Sequence, residues 1–186
     1  LLPAIDQQEF LDAVIGDQKE LGRVPVGFFT EGGPMANKAG LEVVTGKRDL
    51  ALAQMTQVVR DVFVKVGLNV EFVSMDWSTL VARRASREPP EKGGWNAFCT
   101  SWGGMSVIDP GGHFPIRGNG SGAWFGWPED PKMEELRNAW LDSPDRAAQK
   151  KICEDLQAYA FQQVPVIPTG QWFYPMAART NLADIV

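Results

Sequence analysis

Apolar residues recur with a helical period most clearly in the middle of the first half. Met55, Val58, Val59, Val62, Phe63 and Val66 fall at i, i+3, i+4, i+7, i+8 and i+11, one stripe that predicts a helix over 54–66. Gly67 closes it, and NVEFVSM (69–75) has the β-branched and aromatic content of a strand. Helix, glycine and β-rich run together read as half of an α/β unit. A first helix opens at Asp6, with Glu9 completing a capping box and Ile5 and Phe10 placed as a hydrophobic staple. It presents Phe10, Leu11 and Val14 to the core and stops at Gly16. Ser78 or Thr79 is placed to cap a short helix through Leu80 and Ala85. Late in the chain, Asp130-Pro131 starts a helix burying Met133, Leu136 and Trp140. Ser143-Pro144 starts another burying Ile152, Leu156, Tyr159 and Ala160.

Between these elements the period fails. Residues 24–46, rich in Gly and Pro, read as an extended surface crossing, and REPPEKGG (87–94) as a solvated break. Residues 95–102 form a second strand candidate, and VPVIPTGQWFYPMAA reads as extended chain suited to a sheet edge. RDLALAQM (48–55) joins two apparent helices with no turn or strand between them, so the strand at Asn69 lacks an evident neighbour. The run 94–128 carries Trp95, Trp102, Trp124 and Trp127 amid glycines and shows neither period over most of its length. Long irregular loops of this kind tend to be functional. Rings on glycine-flexible backbone suit a surface that grips a small or extended ligand; the other reading is a large loop that packs its own tryptophans over the core.

Composition narrows the class. The chain has 186 residues, 44% hydrophobic and 22% charged, enough for a packed core in one domain or one lobe. Net charge is −5, and the densest basic cluster, Arg83, Arg84 and Arg87, sits beside Glu88 and Glu91. That argues against a nucleic-acid partner, which requires a concentrated positive face. No apolar run approaches the roughly 20 residues that cross a bilayer. Cys99 and Cys153 lack metal-ligand spacing and read as two buried thiols. One histidine leaves no zinc ligand set, and no cofactor is expected.

Several segments then converge on one family. AIDQQEFLDAVIG, KVGLNVEFVSMDW, WNAFCTSWGGMSVIDP and SPDRAAQKKICEDLQAYAFQQVPVIPTGQ resemble, in order, segments of the family 5 extracellular solute-binding proteins. These are the peptide, nickel and oligosaccharide receptors of ABC importers. RRASREPPEKGGWN and AWFGWP are similar to a proteobacterial subgroup of that family. The resemblance implies an α/β fold: the C-terminal lobe of a type II-like periplasmic binding protein, a mixed sheet flanked by helices, with 1–186 as that single lobe and the N-terminal lobe missing. It implies a Gram-negative periplasmic location, a solute that is peptide-like or otherwise small, and a membrane permease as partner. The signal peptide would lie outside this fragment. In the family about thirty residues, the size of a βα step, separate the two helices that here meet between Ala51 and Thr56, which implies a deletion or a missing stretch there.

The resemblance also locates a ligand face. Family peptide receptors anchor the peptide's α-amino group on an aspartate three residues after a strand-ending tryptophan. Here that tryptophan is Trp102 and the third residue on is Met105, a departure that removes the anchor. Asp109 is placed to replace it or simply to cap the turn at Pro110. His113 is a ligand contact or a packing group. Arg117 offers its planar fork to a ligand carboxylate or to loop carbonyls. Trp124, Phe125 and Trp127 form a stacking wall, with at least one expected as a core plug. Trp77, at a strand end, is expected as a hinge or core residue. Two other classes compete with the receptor lobe. A carbohydrate-binding module would use the same exposed tryptophans but needs a β-sandwich, which the capped helices oppose. An enzyme needs a nucleophile with its base, or a phosphate loop. Neither pattern is present, and Glu134-Glu135 and Glu154-Asp155 are placed on solvated helix faces.

Overall fold

A computed structural model describes residues 2–44 and 55–174. Five α-helices dominate: α1 Gln7–Ile15, α2 Met55–Lys65, α3 Trp77–Arg84, α4 Pro131–Asp142 and α5 Arg146–Gln163. The sheet among the described residues is one antiparallel pair, β1 Gly22–Arg23 with β2 Gln171–Trp172, in the register Gly22↔Trp172 and Arg23↔Gln171. The structure is therefore mixed helix and strand but mostly helical, and the mixed sheet expected from the sequence is not seen among the described residues.

Aspartate opens every α-helix whose start is described. Asp6, Asp76, Asp130 and Asp145 accept the N–H of Gln8, Thr79, Met133 and Ala148, satisfying donors that the first turn leaves bare. The cap of α3 is thus Asp76, not Ser78 or Thr79. Both hydroxyls donate to its carboxylate instead and, with the Thr79 N–H, hold that acid well below the ordinary carboxylate range. Helix α5 starts at Arg146 behind Asp145, two residues later than Ser143-Pro144 suggested. Ile5 and Phe10 are both buried, as a staple requires, in one cluster with Val58 and Val62 that joins α1 to α2. Val14 is exposed, contrary to expectation.

The second and larger core lies where α4 and α5 pack together, around Ile116, Met133, Cys153, Leu156, Ala160 and Phe161. The crossing, described over 24–44, runs through turns to a short 3-10 helix at Leu41–Val44 and does not stay on the surface: Phe28, Phe29, Met35 and Leu41 plug this core. Its backbone has no sheet to pair with, so helix side chains satisfy it. Gln157 of α5, fully buried, takes the Phe28 N–H on Oε1 and donates to the Asn37 and Ala39 carbonyls. Gln7 of α1 takes the Val26 N–H and donates to the Val26 and Pro168 carbonyls. A Cβ on Gly27 would stand 2.1 Å from Gln157 Oε1, so only glycine lets the crossing approach this closely.

The strand candidates at 69–75 and 95–102 have no ladder partner. At 69–75, Phe72 and Val73 are exposed on what would be opposite faces. A strand holds its pattern only with a neighbour to pair with, and none lies beside either run among the described residues. Trp77, expected as hinge or core, is 58% exposed. Both cysteines are free; Cys153 is buried and Cys99 half-buried, and burial pushes their thiols up to about 12 and about 11. The junction at 51–56 lies largely outside the described residues, as does the chain after Tyr174.

Candidate functional site

The tryptophan loop is held open from its base. Residues 118–120 and 128–130 pair across it: Gly120 N–H to the Pro128 carbonyl at 2.9 Å, Asp130 N–H to the Gly118 carbonyl at 2.8 Å, with a bridge between Asn119 and Glu129. Gly118 N–H donates to Glu134 Oε1, Glu134 pairs with Arg137 at 2.8 Å, and Arg137 donates to the Pro110 carbonyl. Arg137 is buried, so this ion pair depends on every partner being in place. Glu134 is therefore not a solvated acid; it ties Gly118 directly, and Pro110 through Arg137, to α4. At the tip the Trp127 N–H closes a turn onto the Trp124 carbonyl at 2.8 Å. Gly126 has φ 102° there, the positive φ that a type II turn requires at its third position.

Above this base the rings run in sequence. Phe114 stacks on Trp102 at 6.4 Å, Trp102 meets Trp124 edge-on at 4.6 Å, Trp124 touches Phe125 at 4.6 Å, and Phe125 meets Trp127 at 6.2 Å. Phe114 is exposed and the others half-buried. Guanidiniums lie on the same rings. Arg84, at the end of α3, sits 5.5 Å from the Trp77 ring centroid, 5.0 Å from Trp124 and 4.8 Å from Phe125. Arg87 covers Trp127 at 4.1 Å and Arg117 covers Phe114 at 3.9 Å. The result is a strip of alternating rings and cations, partly open to solvent.

The residues singled out from sequence divide into two groups. Trp102, Arg117, Trp124, Phe125 and Trp127 come together on the strip. Met105 stands apart, 80% exposed, in a single-turn helix at Gly104–Val107. Asp109 caps its own turn, accepting the Gly111 and Gly112 N–H groups. His113, 3% exposed, faces the core, where Nε2 donates to the Phe28 carbonyl at 2.6 Å. Burial, opposed only in part by that bond, pulls its pKa down to about 4. Phe114, Trp77, Arg84 and Arg87 were not recognised from sequence as one surface. The Arg83–Arg87 cluster and Trp77 were visible there, but which rings the cations would cover depends on the path of the chain. A cavity of about 300 Å³ lies beside the strip, lined by Ile116, Arg117, Pro128, Asp130, Met133 and Gln163. No indole lines it, and it shares only Arg117 with the strip.

The site is thus a hydrogen-bonded base carrying an open row of rings and cations, on a scaffold of capped helices. Over 131 residues, 70% of its length, the chain is 30% identical to a probable peptide ABC transporter periplasmic-binding protein of Sinorhizobium fredii. The matched stretch makes up 25% of that protein, so the chain spans about a quarter of its curated relative. This similarity supports a place among the solute-binding proteins. No protein-family model matches the chain.

Proposed function

We propose that the chain is a solute-binding part of an ABC importer receptor, the C-terminal lobe of a family 5 protein working in the periplasm. Two lobes close over a solute and the closed form docks on a membrane permease. The observation that carries this reading is the ring-and-cation strip, Phe114–Trp102–Trp124–Phe125 with Arg84 and Arg117. It is half-exposed, braced from below through Glu134 and Arg137, and found in a chain similar to a periplasmic-binding protein. The solute is peptide-like, by extension from the relative's name. Met105 carries no charge, so the solute's amine is not anchored at that position. The mostly helical structure gives no support to a carbohydrate-binding module, which would need a β-sandwich.

The test is capture. Full-length receptor is incubated with a peptide mixture, washed and denatured, and the released solute is identified by mass spectrometry. Trp124→Ala is expected to lower the captured amount at least tenfold, the scale of one well-packed aromatic contact at the centre of a site, with an unchanged circular dichroism spectrum. Undiminished capture by that variant would remove the strip from the binding surface. The isolated lobe supplies half the contacts and is expected to bind more weakly than micromolar.

A further inference from the structure

Several arginines elsewhere in the described residues are satisfied by the chain itself: Arg60 by Asp61, Arg137 by Glu134, Arg83 by the Gly94 carbonyl. Arg84 and Arg87 differ. Neither makes an ion pair or a hydrogen bond among the described residues; what they touch is ring faces. A guanidinium laid on rings loses water above and below its plane, while its N–H groups still point outward within that plane. Arg84 Nε is buried with no acceptor, a donor that costs free energy until one arrives. The acids nearby do not supply it. Asp76 is occupied by Ser78 and Thr79, and Glu88 and Glu91 are exposed and form no ion pair among the described residues. Arg117 also has a buried Nε without an acceptor, but it donates to the Gly111 carbonyl at 3.4 Å and Glu129 and Asp130 line the cavity beside it, which makes it the poorer candidate.

We infer that the solute supplies the missing anion: it is a carboxylate-bearing molecule with an apolar or aromatic body. The body lies on Trp102, Trp124 and Phe125, and the carboxylate meets the Arg84 fork with Arg87 alongside. A planar fork matches a carboxylate through two parallel bonds. The inference rests on the strip being the solute-binding surface, and the experiment separates the two.

N-acetylated peptides are supplied to the full-length receptor as matched pairs, one member with a free C-terminal carboxylate and the other amidated, and the retained ratio is read by mass spectrometry. The acids are expected to be enriched about tenfold, the range of one charge-assisted hydrogen-bonded contact. Arg84→Gln should bring the ratio to one, while Arg60→Gln, on α2 and outside the strip, should leave it unchanged. Equal retention of acid and amide by the wild-type protein, with Trp124→Ala still abolishing capture, would overturn the anion and leave the strip standing. Capture that ignores Trp124→Ala would overturn both. The wild-type ratio requires no variant, so poor folding of Arg84→Gln would not shield the inference.

Discussion

His113 shows how much one buried side chain contributes in this molecule. Its Nε2–H bond to the Phe28 carbonyl fastens the tryptophan loop to the core, and Nδ1 is buried with no partner. Protonation would place a charge in that site, which is why its pKa falls to about 4. Above pH 6.5 the ring is neutral in both the folded and unfolded chain and contributes no pH dependence. From pH 6.5 down to about 4 the unfolded chain takes up a proton that the folded protein refuses, so stability falls by up to about 1.4 kcal/mol per pH unit. Below about 4 that slope ends. Asp76, with its depressed pKa, stabilises above the ordinary carboxylate range and loses that effect only at still lower pH, so the two windows separate. Urea unfolding midpoints measured from pH 7.5 to 4 should show the slope, and His113→Gln should flatten it. An unchanged slope would assign the acid sensitivity to other groups.

Among elements, the crossing at 24–46 stands out, because its structure comes from glutamine side chains. Gln157→Ala leaves the Phe28 N–H and the Asn37 and Ala39 carbonyls without partners in the core, at an expected cost of about 3 kcal/mol or more. Gly27→Ala drives a methyl group into Gln157 Oε1. The two substitutions act on one contact, so Gly27→Ala should cost less in the Gln157→Ala background than alone, as read from a double-mutant cycle of urea midpoints. Additive costs would mean the contact is not shared. The helices were legible in the sequence because the caps at Asp6 and Asp130, the glycine stop at Gly16 and the stripe at Val58 and Val62 are local signals, although the caps of α3 and α5 were read at Ser78 or Thr79 and at Ser143 instead of Asp76 and Asp145. The crossing was not, since nothing near Phe28 announces that a residue on α5 will satisfy its N–H. The strip was half legible for the same reason. Trp102, Trp124 and Phe125 declared themselves through aromatic density, whereas Arg84 reaches them only once α3 has been laid alongside the loop. The strand-like composition of 69–75 misled because composition does not provide a neighbour.

At the scale of the whole molecule, exposed apolar side chains crowd one stretch of sequence. Val64 near the end of α2, Val66 and Leu68 just beyond it, then Phe72 and Val73, are all exposed, within ten residues of chain. Clustered exposure of this kind marks a surface that is normally covered or that drives association. The isolated chain is therefore expected to bind the dye ANS and to self-associate as concentration rises. Phe72→Ser with Val73→Thr should lower both, measured by dye fluorescence and analytical ultracentrifugation. A monomer indifferent to the dye would show that this face is adequately solvated as it stands.

The glutamine clasps also bear on when the fold can form. Gln157 and Phe28 lie 129 residues apart in sequence, and Gln7 and Pro168 161 apart. Closing such wide loops precedes any reward from the bonds they make. The backbone at Phe28, Asn37 and Ala39 thus stays without its side-chain partner until α5 has arrived. Refolding should be slow for a mostly helical protein, and a nascent chain cut short before Gln157 would have nothing to clasp.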